Sequence, residues 1–219
     1  MILPKFNDEL LCIQAFTHRS YLNEAKQKTD SNERLEFLGD SILSFIVSEF
    51  LYKAYPEYSE GTLTNLRSLL VNTKSLAIWA QKLDFGKHLR LSRGEEESKG
   101  RENQSLLADC FESFIGALYL DQGIVAVQKF LTETILTEVP GLVEKKAFKD
   151  PKSLLQEHVQ AAKQNSPVYK VLEEEGPPHA KTFTIGVFVM EKQIGEGKGR
   201  SKQIAEENAA QAALEKISK

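Results

Sequence analysis

The sequence predicts a multidomain protein: an all-α domain over residues 1–147, followed by a small α+β domain over residues 150–219 with the order α-β-β-β-α. Three observations carry this. From Phe6 to about Lys146 the apolar residues recur at helical spacing, with no convincing period-two run. After Ala147-Phe148-Lys149-Asp150-Pro151 the pattern changes to one helical stretch, three short strand-like runs and an Ala-rich helix. The full length of 219 residues suffices for one large core or two small ones.

In the first region helices are expected at Asn7–Phe16, Ser31–Tyr55, Ser59–Leu70, Thr73–Leu83, Ser105–Asp121 and Val125–Leu136. Asp30 or Ser31 can cap the second of these, Pro56 lies just past its end, and Gly123 follows the fifth. In the second region Lys152–Lys163 reads as a helix burying Leu155, Val159 and Ala162. Strands are expected at Val168–Leu172, Thr182–Met190 and Gln193–Glu196, the middle one alternating with Phe183, Ile185, Val187 and Val189 on one side. Glu191-Lys192 reads as a tight connection. Gly195–Gly199 reads as a flexible Gly-rich turn leading into a helix from Ser201 to Ile217. Such an order suggests two helices on one face of an antiparallel sheet, a small but viable core.

Composition bounds the function without naming it. With 41% hydrophobic and 27% charged residues the chain reads as soluble and globular. The start, MILPKFNDELL, lacks the features of a signal peptide, and no stretch is expected to span a bilayer. Cys12 and Cys110 lie far apart and match no metal spacing, so reduced, buried thiols and a cytoplasmic location are expected. A net charge of −3 argues against a uniformly basic surface, so any nucleic-acid contact must come from a local patch.

Two helices carry acidic faces. At about 100° per residue, Leu35, Leu38, Ile42, Phe45 and Ile46 fall on one side of the second helix, and Glu33, Glu36 and Asp40 fall opposite. On the Leu106–Leu120 stretch, Leu107, Phe111, Phe114 and Leu118 form the apolar stripe; Asp109 and Glu112 lie opposite it, close to Gly116. Solvated polar faces are the commonest meaning of such a pattern. Here, however, Glu33, Glu36 and Asp40 have no Lys or Arg on their own face, and Phe37 points toward the acidic side, where an aromatic calls for a partner surface. Carboxylates alone suit Mg²⁺, a hard ion that keeps several waters, and such ions serve phosphodiester hydrolysis. A di-iron carboxylate bundle would need Glu-x-x-His pairs, and none of His18, His88, His158 and His179 sits in one.

NERLEFLGDS (Asn32–Ser41) resembles the signature segment of ribonuclease III. The resemblance continues through AFTHRSYLNE (Ala15–Glu24), EGTLTNLRSLLVNTKSLA (Glu60–Ala77) and LLADCFESFIGALYLDQG (Leu106–Gly123), and covers essentially the whole chain. It implies an all-α endonuclease domain that cuts double-stranded RNA as a homodimer, in processing ribosomal RNA precursors and other structured transcripts. The products would carry 5′-phosphate and 3′-hydroxyl ends with short 3′ overhangs. By position, Glu36, Asp40, Asp109 and Glu112 match the family's metal ligands, for Mg²⁺ with Mn²⁺ as a substitute, and Asp40 and Glu112 match its catalytic pair. Glu33 and Glu60 match supporting acids, and Phe37 matches an aromatic that inserts into the partner subunit. Ser41 replaces the commoner Ala, a small-for-small change. His18 is assigned a structural role, Trp79 a place in the core, and Glu95-Glu96-Glu97 a solvated loop.

Gly195–Lys202 fits neither a Walker A loop nor a dinucleotide fingerprint, because its glycines alternate after a strand pattern. It delivers Lys198, Arg200, Ser201 and Lys202 to a helix N-terminus, where free N–H groups and the helix dipole favour anions. GKGRSKQIAEENAAQAAL (Gly197–Leu214), DPKSLLQEHVQ (Asp150–Gln160) and GPPHAKTF (Gly176–Phe183) resemble the double-stranded-RNA-binding domain. That resemblance implies that Gln156 and Gln160 face one minor groove, that His179 reaches the next, and that the basic turn grips phosphates between them. The alternative is a double-stranded-RNA-binding protein without catalysis. A processing enzyme restricted to one structured RNA is a further possibility.

Overall fold

A computed structural model describes residues 3–25, 29–144, 146, 148, 151–177 and 180–217, which fall into two compact units, Met1–Phe148 and Lys149–Lys219.

The first unit is helical: α1 (Glu9–Ala15), α2 (Glu33–Ala54), α3 (Glu60–Val71), α4 (Thr73–Lys82), α5 (Phe85–His88), α6 (Arg93–Glu97), α7 (Gln104–Glu133) and α8 (Val139–Glu144). Asp8, Ser59, Asn72, Ser92 and Asn103 each accept a backbone N–H at the start of α1, α3, α4, α6 and α7, which is why those helices begin where they do. α2 departs from expectation here. Neither Asp30 nor Ser31 caps it; the flanking residue is buried Asn32, whose N–H reaches Thr17 O at 2.8 Å, while Ser31 Oγ donates to Glu33 Oε2. Glu95–Glu97 belongs to α6 rather than a loop, because Arg93 pairs with Glu97 one turn on and Arg101 clasps Glu96.

Helix α7 is the axis of this unit. Leu107, Phe111, Phe114 and Leu118 are buried, and so are Ala108, Cys110, Ile115, Gly116 and Ala117, so the helix is apolar nearly all round. Phe85, Phe111, Phe114, Phe130, Phe16 and Phe6 form one continuous aromatic cluster about it. Contrary to expectation, the stretch Gln104–Glu144 is long and apolar enough to cross a membrane. Half of its apolar window is buried inside the protein, with Leu107, Phe111, Phe114, Leu118 and Phe130 in the core, and Gly123, at φ 79°, breaks it into two helices. Trp79 is buried as expected; Phe148 packs on Tyr58 as part of the same core. Phe45, expected on the core side of α2, is instead 59% exposed. Cys110 is fully buried and Cys12 half-buried, and both are free thiols.

The second unit comprises α9 (Pro151–Ala161), β1 (Val168–Glu175), β2 (Thr182–Val189), β3 (Lys192–Gly199) and α10 (Lys202–Ile217), the expected α-β-β-β-α order. The sheet is antiparallel in the order β1-β2-β3. Leu155 and Val159 of α9 meet Val187 and Val189 of β2 and Ala209, Ala210 and Ala213 of α10. Three expectations are corrected. Ala162, expected to be buried by the first helix, lies just past the end of α9 and is exposed. The tight connection is Met190-Glu191, both at positive φ, between the paired Val189 and Lys192. Gly195–Gly199 is a strand, not a flexible turn. Cβ atoms added at Gly195, Gly197 and Gly199 would lie 2.4, 2.2 and 2.6 Å from the backbone of α10, so alternating glycines let the strand lie against its alanines.

Candidate active site and nucleic-acid interface

The acidic faces of α2 and α7 meet at a helix crossing built on two glycines. A Cβ at Gly39 would sit 1.7 Å from Glu112 O, and one at Gly116 would sit 2.2 Å from Leu35 O. No residue with a side chain could take either place without separating the helices. Such close backbone approach places Glu36 of α2 beside Asp109 and Glu112 of α7, with one carboxylate oxygen from each within 4.8 Å of the other two. Asp40 lies one turn beyond Glu36; its side chain is more exposed than these three, yet its charge acts on both Glu36 and Glu112.

Packing and charge reinforce each other at this point. Burial, then repulsion from Asp40, Glu36 and Asp109, pushes the Glu112 carboxyl up to about 8. Burial first, then Asp109, Glu33 and Asp40, raises Glu36 above the ordinary carboxylate range. Asp109 is raised by burial, with His18 acting in the opposite direction. Half-buried carboxylates held this close, with no Lys or Arg paired to them among the described residues, suit a divalent ion, which takes hard oxygen donors and relieves their repulsion.

The remaining expected site residues are placed as follows. Glu33 sits at the first turn of α2, 3.5 Å from Arg19. Glu60 starts α3, accepts from Thr64 Oγ1 at 3.0 Å and lines a groove with Phe45, Tyr52 and Arg67; the structure does not bring it into the three-carboxylate cluster. Phe37 is 79% exposed beside a groove lined by Leu11, Leu22, Leu38 and Leu120. His18 does hold local structure, since its Nδ1 accepts from Ser20 N–H at 3.3 Å, but it also faces Asp109 electrostatically. Gly39 escaped the sequence reading, although a glycine inside a strong helix pattern is costly enough to be a signal.

In the second unit Gln156 and Gln160 lie one turn apart on the exposed side of α9. Lys198 projects from β3, on the side away from its flanking glycines, and Asn208 donates to its carbonyl at 2.8 Å. Arg200 is exposed; neither it nor Lys198 forms an ion pair among the described residues. Ser201 Oγ accepts from Ile204 N–H at 3.2 Å and so caps α10, and Lys202 is the first residue of that helix. Lys202 is already paired, 3.2 Å from Glu174, which also holds Lys181 at 3.0 Å; sequence reasoning missed this arrangement. His179 lies outside the described residues.

Comparisons with known proteins agree with this architecture. Residues 8–139 match the family model described as ribonuclease-III-like, and residues 151–217 match the double-stranded RNA binding motif. The chain is 46% identical over 209 residues to "Ribonuclease 3" of Borreliella afzelii, spanning 95% of this chain and 85% of the relative. It is 48% identical to "Ribonuclease 3" of Anoxybacillus flavithermus, spanning 97% and 89%. Among solved structures, the nuclease domain of ribonuclease III from Campylobacter jejuni is similar with 38% identity and a TM-score of 0.57, covering 62% of this chain and 92% of that one. Dicer from Pichia stipitis is similar with 29% identity and a TM-score of 0.52, covering 98% and 97%. The family depends on a divalent metal, and the α2–α7 crossing offers an acidic cluster able to hold one. A metal-dependent nuclease domain joined to a duplex-binding domain makes this chain an endoribonuclease of the ribonuclease III family, specific for double-stranded RNA.

Proposed function

We propose that Glu36, Asp40, Asp109 and Glu112 hold Mg²⁺, or Mn²⁺ in its place, and that this cluster is where the chain cuts RNA. The observation that carries the proposal is the convergence of Glu36, Asp109 and Glu112 within 4.8 Å at a crossing only glycines permit. When bound, the ion supplies activation of water and stabilisation of charge on the phosphate and the leaving oxygen. The chain's own part is to hold the donors in place and to give up a proton. Glu112, protonated up to about pH 8 without a cation, must lose that proton to become a ligand. Asp40 and Glu112 are the catalytic pair in this reading, Glu36 and Asp109 complete the ligand set, and Glu33 is a supporting acid kept oriented by Arg19.

Exposed Phe37, Phe45 and Tyr52 fall along one stripe of α2, an apolar face suited to a second copy of the chain. In that homodimer Phe37 enters the partner's groove, and Glu60, apart from the cluster within its own chain, acts as a supporting acid. Two sites across one duplex then yield 5′-phosphate and 3′-hydroxyl ends with short 3′ overhangs. Residues 1–147 perform the chemistry, and residues 150–219 bind the duplex through Gln156, Gln160, His179, Lys198, Arg200, Ser201 and Lys202. The work of the enzyme is processing of ribosomal RNA precursors and other structured transcripts, in the cytoplasm. A duplex-binding protein without catalysis would leave the clustered, half-buried carboxylates without a purpose.

The test is incubation of long double-stranded RNA with the wild type and Glu112→Gln, with and without Mg²⁺. Cleavage should require the ion and collapse in Glu112→Gln, while duplex binding persists. Undiminished turnover by Glu112→Gln at saturating Mg²⁺ would place the chemistry elsewhere.

A further inference from the structure

The Lys202 that the resemblance assigns to a phosphate already has an anionic neighbour within its own domain. Its Nζ lies 3.2 Å from Glu174 Oε1, and Lys181 Nζ lies 3.0 Å from the other oxygen, Oε2. Both ammonium groups also stand over the Phe183 ring, at 5.5 and 5.9 Å from its centre. One carboxylate near the end of β1 thereby ties the start of α10 to the start of β2, where the β1–β2 connection ends. Neither Lys198 nor Arg200 has such a counter-ion among the described residues, so the restraint falls on one end of the basic patch.

We infer that Glu174 attenuates the chain's grip on double-stranded RNA by competing with phosphate for Lys202 and Lys181. The inference rests on the reading that Lys202 contacts the RNA backbone. Geometry sets the direction of the effect. A phosphate oxygen in hydrogen-bond contact with Lys202 lies within about 6 Å of the Glu174 carboxylate if the pair persists, since each contact spans roughly 3 Å. That distance is shorter than the Debye length of about 8 Å at physiological salt, so the two anions repel. If the pair instead opens, its attraction is lost. Both routes cost affinity at Lys202, and both spare Lys198 and Arg200. The two lysines already share the Phe183 ring as a platform, so removing the carboxylate charge leaves them close together. The Glu174 carboxyl is held below its ordinary range by its bonds to Lys181 and Lys202, in keeping with an ionised group at neutral pH.

The experiment measures duplex affinity of the full chain over a salt series for Glu174→Gln, Lys202→Ala and the double variant, using Ca²⁺ in place of Mg²⁺ to hold the RNA uncut. Glutamine keeps the size and the acceptor oxygen and removes only the charge; thermal melting confirms that the fold is kept. Glu174→Gln should bind about twofold to tenfold tighter at low salt, with a steeper salt dependence. In the double variant most of that gain should vanish. Weaker binding by Glu174→Gln would make the carboxylate a positioning group and overturn the inference, as would unchanged binding. A gain that survives intact in the double variant overturns it as well. If Lys202→Ala alone leaves affinity unchanged, the assignment of Lys202 to a phosphate fails separately from the effect of Glu174.

Discussion

Both units rely on glycine to bring backbones together, and they put the close approach to opposite uses. At the α2–α7 crossing Gly39 and Gly116 draw two helices into contact, and four acids gather on the rim of the buried seam. In the second unit Gly195, Gly197 and Gly199 seat β3 against α10, while the residues between them, Glu196 and Lys198, remain exposed. The first arrangement desolvates like charges and raises their affinity for protons and cations alike. The second buries only backbone and alanine, leaving cations in water, where they meet a polyanion at little desolvation cost. In the function proposed above, the chemistry uses the partly dry site and the grip the wet one.

The contrast can be broken at each glycine. Gly39→Ala drives a methyl group into Glu112's own carbonyl, so it should destabilise the first unit by on the order of 3 kcal/mol and abolish divalent-ion binding, while duplex binding survives. Gly197→Ala, with α10 backbone 2.2 Å away, should do the reverse, losing duplex binding and keeping the metal site. Gly61→Ala, with nothing within 4 Å, should be harmless in melting, metal-binding and duplex-binding assays. If Gly39→Ala were as harmless as Gly61→Ala, the crossing would not be what holds the carboxylates together.

A smaller effect is expected from replacing Lys198, Arg200 and Lys202 together by Ala. Filter binding on unrelated duplexes should show uniform weakening and a flatter dependence on salt, with cleavage partly restored at high enzyme concentration or low salt. Unaltered binding at every salt would reduce the basic patch to ordinary surface.

Much of this was legible in the sequence, within limits set by what spacing encodes. Angular position about a helix axis follows from spacing, so the acidic faces of Glu33, Glu36, Asp40, Asp109 and Glu112 could be read directly, and Phe37 stood out as misplaced. Depth does not follow from spacing. Phe45 lies at the edge of its apolar stripe and is exposed because α3 leaves a groove there. The alternating glycines of β3 were visible but read as flexibility; their match to Ala205, Ala209 and Ala213, one per helical turn, was the missed signal. The Glu174–Lys202 pair could not be read, because it joins residues brought together only by the packing of α10 on the sheet.

A pH dependence tests the same acidic cluster from the side of stability. In the unfolded chain Glu112 titrates near 4.5, and in the folded one near 8. Between those values the folded state holds a proton that the unfolded state does not, so stability without metal should fall as pH rises from about 4.5 to 8. Glu36 and Asp109, both raised, act in the same direction. Melting temperatures should show this decline, and saturating Mg²⁺ or Glu112→Gln should shrink it. A rise in stability over that range would reverse the assigned environment.

The central claim, that the α2–α7 carboxylates bind the divalent ion, is tested most directly by counting protons. Titration calorimetry of Mg²⁺ into the RNA-free protein at neutral pH, repeated in buffers of different ionisation enthalpy, yields the number of protons released per ion. Because Glu112 holds its proton up to about pH 8, binding should release close to one proton in the wild type. In Glu112→Gln that release should largely disappear, along with most of the affinity. Equal affinity and equal proton release in the two proteins would contradict the site.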